Sequence, residues 1–193
     1  MNTPNKLTIA RIIATPFFMA ALMIEFPFPY TVALILFIAA SLTDMIDGKM
    51  ARKYNMITDF GKFLDPLADK MLTTAAFLGF IKMGIGWQVT WIAFIVLFRE
   101  FLISSLRLVV VSSGGKVIAA NMWGKWKTVS QMAGIILALF AYVLISDFGI
   151  NNVVFVSVCN IIISILFWAS AVLCIISGAI YLKDSKEYID PSK

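Results

Sequence analysis

Histidine is absent from all 193 residues. That absence excludes histidine-ligated zinc, Ser-His-Asp triads and imidazole proton shuttles. Cysteine occurs twice, at Cys159 and Cys174, both inside apolar runs. A disulfide scaffold is excluded on that count, and both thiols read as small buried hydrophobes. Charge is scarce as well: 14% of residues are charged, where a soluble domain carries about 25%. No repeat, low-complexity tract or collagen period is present. What fills the space is apolar: 61% of side chains, against roughly 45–50% in soluble domains. The mean hydropathy is +0.91. One globular core cannot absorb that excess, so the composition predicts an integral membrane protein.

A spanning helix needs about 20 mostly apolar residues. Six stretches qualify: Leu7–Ile24, Tyr30–Asp47, Pro66–Ile81, Trp87–Val111, Met122–Ile145 and Val153–Leu182. The first is not a signal peptide, because it carries Arg11, lacks an A-x-A cleavage site and precedes further spans. Pro and Gly punctuate the breaks at Phe26-Pro27-Phe28-Pro29, Lys82-Met83-Gly84-Ile85-Gly86 and Asp147-Phe148-Gly149. The expected fold is therefore all-α: one membrane domain, residues 1–193, built as a bundle of six transmembrane helices. Trp87, Trp123 and Trp126 fit interfacial belts, while Phe17, Phe18, Trp91, Phe94 and Trp168 read as lipid-facing or helix-packing groups.

With six spans both termini share one side. That side holds Lys6, then Lys49, Arg52, Lys53 and Lys62, then Lys116, Lys125 and Lys127, and finally Lys183, Lys186 and Lys193; the other holds only Lys82. The positive-inside rule places both termini in the cytoplasm. The net charge of +5 then becomes a basic cytoplasmic face suited to anionic headgroups or phosphorylated substrates, although Lys183, Lys186 and Lys193 need do no more than set topology.

Five of the eleven acidic residues fall between Asp44 and Lys70. Carboxylates at the membrane are costly and usually functional. Asp44, Asp47, Gly48, Ala51 and Arg52 stand at i, i+3, i+4, i+7 and i+8, one helical face. Gly61, Asp65 and Asp69 follow at i, i+4 and i+8. Two readings of Pro66 stand. Either the helix runs through it, or Pro66 opens the third span with Asp65 as N-cap and Gly61 in the loop. Two antiparallel helices would in either case bring four carboxylates together at the cytoplasmic surface. Four such groups do not stay ionised together without cations. One answer is a salt-bridge network with Arg52 and Lys70. The other is an oxygen-only site for Mg²⁺ or Mn²⁺, in which two ions roughly 3.5–4 Å apart clamp a phosphate. Gly48, Ala51 and Gly61 would admit a bulky phosphorylated group close to the backbone.

The run Asp44-x2-Asp47-Gly48-x2-Ala51-Arg52-x8-Gly61-x3-Asp65-x3-Asp69 resembles the signature of the CDP-alcohol phosphotransferase family, with no position missing. The resemblance implies transfer of a phosphatidyl-type group from a CDP-linked lipid to an alcohol, with release of CMP. It implies that Asp44, Asp47, Asp65 and Asp69 bind a metal pair and that Asp69 is also the general base. Gly48, Ala51, Arg52 and Gly61 would contact the nucleotide or its diphosphate. A homodimer in the bacterial cytoplasmic membrane, its active site facing the cytoplasm and with no nucleic-acid partner, is implied in the same way.

Shorter stretches bear on the acceptor. Pro4-Asn5-Lys6-Leu7-Thr8-Ile9-Ala10-Arg11, Arg99-Glu100 and Gly124-Lys125-Trp126-Lys127-Thr128 are similar to the branch of that family that takes sn-glycerol 3-phosphate, with CDP-diacylglycerol as the donor. Asn5 and Thr8 of the opening are then expected at the nucleotide. Arg99 and Arg107 lie eight residues apart, on one helical face, and are costly in a membrane unless they meet charge or water. With Lys125, Lys127 and Thr128 they would supply donors to an acceptor phosphate. Lipid headgroup contact is the plainer reading of Arg107 and Lys125. Another alcohol, such as inositol phosphate or serine, would suit the same signature. A cation transporter with a carboxylate relay is the alternative from a different class, but its site belongs at the midplane between broken, repeated helices. The carboxylates here stand at helix ends in a chain without repeats. The resemblance implies that the acceptor hydroxyl attacks phosphorus directly, and since no histidine is available, a metal-held carboxylate, Asp69, is expected to take its proton.

Overall fold

The computed structural model describes residues 2–53, 59–112 and 122–186; within them the side chains at 3, 47–49, 51–53, 59, 60, 62, 63, 111 and 112 lie outside the description. Every element among the described residues is helical: α1 Thr3–Met23, α2 Pro29–Lys53, α3 Asp59–Met83, α4 Val89–Ser112, α5 Met122–Tyr142 and α6 Val153–Asp184. Four spans are long and apolar enough to cross a membrane: Pro4–Met23, Pro29–Ile46, Met122–Asp147 and Val153–Asp184. The chain is a membrane protein of helices. The third and fourth expected spans, which became α3 and α4, are not among those four. They are the helices that carry Asp65, Asp69 and Lys70, and Arg99, Glu100 and Arg107.

The expected breaks are where the helices end. Ile24 turns extended after α1, and its N–H still closes onto the Ala20 carbonyl. Gly84 and Gly86 take φ of 67° and 85° after α3, a region where a Cβ is strained. The end of α5 differs from the sequence expectation: Val143–Asp147 widens into a π-helical turn. Its Asp147 accepts from both N–H and Oγ1 of Thr31, each at 2.7 Å. The first turn of α2 thereby gains a carboxylate on its otherwise unsatisfied donors, at the positive end of the helix dipole. Asn152 does the same for α6 through the N–H groups of Val154 and Phe155.

The chain divides into two compact units, Met1–Ile85 with Ile135–Asn160, and Gly86–Gly134 with Ile161–Lys193. In the first, α1 packs along both α2 and α3, which among the described residues touch each other far less than either touches α1. Phe18 and Phe37 close the α1–α2 seam with rings 5.6 Å apart. A Cβ on Gly79 would meet the Leu22 side chain at 2.5 Å, so glycine there permits the α1–α3 approach. In the second unit Trp87 and Trp168 pack 6.0 Å apart, and the bare backbone of Gly134 accommodates the Phe167 ring. Phe17, Trp91, Phe94, Phe98, Val153 and Val154 are exposed, as expected of side chains facing lipid.

Candidate active site

Helix α3 settles the two readings of Pro66. It begins at Asp59 and runs through Pro66, so Gly61, Asp65 and Asp69 share the face of one continuous helix. Gly61 is buried, while Asp65 and Asp69 are exposed. Asp44, on α2, is half-exposed. Asp47, Gly48, Ala51 and Arg52 also lie on α2, but their side chains fall outside the described residues. Among the described residues no three acidic, histidine or cysteine side chains gather into a metal-holding group.

What the structure adds is α1. This helix presents Asn5, Thr8, Arg11 and Thr15 inward, all at least nine-tenths buried. Arg11 forms an ion pair with Asp44, whose Oδ1 accepts from Nη1. The Arg11 side chain is 1% exposed against 47% for Asp44. Thr8 Oγ1 donates to Asp65 Oδ1 at 2.8 Å, with the Pro4 carbonyl an alternative acceptor at 3.2 Å. The sequence reading used Arg11 to set aside a signal peptide and as the end of the Pro4–Arg11 stretch, and gave it no partner. An arginine inside an apolar run was the available signal, since such a charge must meet a partner. Lys70, named in the sequence as a neutraliser, is half-buried.

The donor chemistry suits a hard divalent cation. Asp44, Asp65 and Asp69 offer carboxylate oxygen alone, from half-exposed or exposed side chains. Asp47 would add a fourth carboxylate from the same helix as Asp44.

The basic residues expected at the acceptor lie on α4 and α5. Arg99 and Lys127 converge on one carboxylate, with Glu100 Oε1 accepting from Arg99 Nη1 at 3.0 Å and from Lys127 Nζ at 2.6 Å. Arg99 Nη2 also donates to Ser177 of α6 at 3.0 Å. Two cations share one anion here, which leaves the trio net positive. Cys174 and Gly178 of α6 border the same region, where Arg99 lines an apolar groove of about 290 Å³. Arg107 is not part of the trio: its guanidinium lies over the Tyr181 ring, 5.8 Å from the centroid. Lys125 and Thr128 are exposed, and the Thr128 hydroxyl donates back to the Gly124 carbonyl. The sequence had no means of finding Ser177 or Gln131, both buried polar groups, because neither belongs to a motif.

The family model for CDP-alcohol phosphatidyltransferases matches residues 1–176. The chain belongs to the CDP-alcohol phosphatidyltransferase family. A Bacillus subtilis protein named CDP-diacylglycerol–glycerol-3-phosphate 3-phosphatidyltransferase is 36% identical over 203 residues, covering 99% of this chain and 98% of its own length. Proteins of the same name from Rickettsia bellii (38% over 191 residues, 97% of each chain) and Haemophilus influenzae (36% over 186 residues, 96% of this chain and 94% of its own) are similar over nearly their whole lengths. The aspartates of the signature lie on α2 and α3, and α1 touches both helices.

Proposed function

We propose that this protein transfers the phosphatidyl group of CDP-diacylglycerol to sn-glycerol 3-phosphate, giving phosphatidylglycerophosphate and CMP, as a step in phospholipid biosynthesis. The observation that carries this reading is similarity over nearly full length to relatives that bear this activity in their name, together with an intact aspartate signature. The net positive trio of Arg99, Glu100 and Lys127 supports an acceptor that is itself an anion.

Asp44, Asp47, Asp65 and Asp69 would hold divalent metal, Mg²⁺ or Mn²⁺. When bound, the metal would offset charge on the donor diphosphate. Asp69 accepts the proton of the acceptor hydroxyl as its oxygen forms a bond to the lipid-side phosphorus. The bond from that phosphorus to the CMP oxygen breaks, and CMP leaves with the electron pair. No side-chain nucleophile intervenes: Ser41 and Thr43 donate to the carbonyls of Phe37 and Ala40 on their own helix. Asn5, Gly48, Ala51, Arg52 and Gly61 serve the nucleotide side, Thr8 acts there only through its hydrogen bond to Asp65, and Arg99, Arg107, Lys125, Lys127 and Thr128 serve the acceptor phosphate.

The chain is read as one catalytic domain in the bacterial cytoplasmic membrane, crossing it six times as a homodimer, with both termini and the active site on the cytoplasmic side. The one-sided distribution of lysine supports this orientation. The deciding experiment is CMP release by the purified protein from CDP-diacylglycerol. Release that requires sn-glycerol 3-phosphate is expected. Release without any acceptor, or only with inositol phosphate or serine, would overturn the reading.

A further inference from the structure

Two of the carboxylates assigned to the metal site arise from different helices, Asp44 from α2 and Asp65 from α3. Among the described residues each of these helices packs far more on α1 than on the other. Helix α1 reaches each carboxylate with a polar side chain. Arg11 engages Oδ1 of Asp44, and Thr8 engages Oδ1 of Asp65. Thr8 and Arg11 are three residues apart and so lie on one helical face. Both are almost fully buried, so neither side chain has room to change rotamer freely. The base of Arg11 is fixed too: Thr15 Oγ1 donates to its carbonyl at 2.9 Å.

We infer that α1 is the positioning element of the metal site, with Thr8 and Arg11 as positioning residues that fix the spacing and aim of Asp65 and Asp44. This rests on the proposed function, which assigns those carboxylates to metal. Each contact engages Oδ1. The two residues act differently. Thr8 adds no charge and orients Asp65, as a partner behind a metal ligand commonly does. Arg11 adds a permanent positive charge, which neutralises Asp44 and repels an incoming cation. Removing the Thr8 hydroxyl should therefore weaken metal binding, whereas removing the Arg11 charge should strengthen it while leaving Asp44 misaimed.

The test uses the full-length protein in nanodiscs and reads Mn²⁺ affinity directly by electron paramagnetic resonance, beside turnover and thermal unfolding. Thr8→Val, which keeps shape and loses the hydroxyl, is expected to weaken Mn²⁺ binding about 10-fold or more, with Thr8→Ser restoring it. The KM for CDP-diacylglycerol at saturating Mn²⁺ should stay near the parent value. Arg11→Gln is expected to bind Mn²⁺ more tightly than the parent yet turn over more slowly; Arg11→Lys, which keeps the charge, should retain the parent affinity. Should Arg11→Gln fail to fold, the Thr8 pair decides alone. Unchanged Mn²⁺ affinity in Thr8→Val with a raised donor KM would make Thr8 a nucleotide contact and overturn the inference. So would equal weakening of Mn²⁺ binding in Arg11→Gln and Arg11→Lys. Absence of acceptor-dependent CMP release in the parent protein would instead strike the proposed function.

Discussion

Each compact unit buries an arginine against a carboxylate, and the two do so in opposite senses. In the first unit Arg11 is sealed within the helices and its partner Asp44 faces outward. Asp65 and Asp69 are likewise exposed. The cation is hidden and the anions are presented. In the second unit Arg99, Glu100 and Lys127 are all mostly buried, with side-chain exposures of 17%, 19% and 7%. Here the anion is enclosed by two cations, and the surplus is positive. The same residue types would thus suit a cation in one place, as the proposed function has it, and an anion in the other. Stoichiometry and the direction of exposure decide which.

The comparison breaks most severely at the presented anions. Asp69→Asn removes the proposed base and should lower kcat by about 10²–10⁴-fold, read as CMP release. Treatment with EDTA should abolish turnover and Mn²⁺ restore it; full turnover after exhaustive chelation would refute a cation site in the first unit. Glu100→Gln tests the second. It leaves Arg99 and Lys127 facing each other without their shared anion, and should cost about 3 kcal/mol of stability, visible as a lowered unfolding temperature in detergent. A variant as stable as the parent would mean that the two cations are already matched elsewhere.

Smaller changes sharpen the contrast. Lys125 is exposed, so Lys125→Gln should raise the KM for sn-glycerol 3-phosphate by about 5-fold at most, in keeping with the modest worth of exposed charge pairs. The KM for CDP-diacylglycerol should not move, and equal changes in both would remove Lys125 from the acceptor side. Smallest is Thr31→Val, which takes one of two donors from Asp147. It should lower stability by about 1 kcal/mol and leave turnover intact, because this carboxylate caps a helix and belongs to neither charged site.

Much of this was legible in the residues. Runs of about 20 apolar residues have few solutions, since backbone polar groups in lipid must pair within their own segment; α1, α2, α5 and α6 follow from that. The aspartate signature was legible because its spacing matches helical periodicity and its residue types suit hard cations. The continuity of α3 through Pro66 was not. A proline forfeits one hydrogen bond but does not say whether the packing around it tolerates the loss. The π-helical turn at Val143–Asp147 escaped for a similar reason, as its Asp147 is fixed by Thr31, a residue 116 positions away.

The sequence by itself determined that this is a helical membrane protein of the CDP-alcohol phosphatidyltransferase family, because composition, apolar run length and motif spacing are local properties. Only the tertiary structure decided which charges meet. It paired Arg11 with Asp44 and Thr8 with Asp65, and it set Lys127 against Glu100. The energy of a buried charge depends on its neighbours in space, and a linear pattern does not contain them.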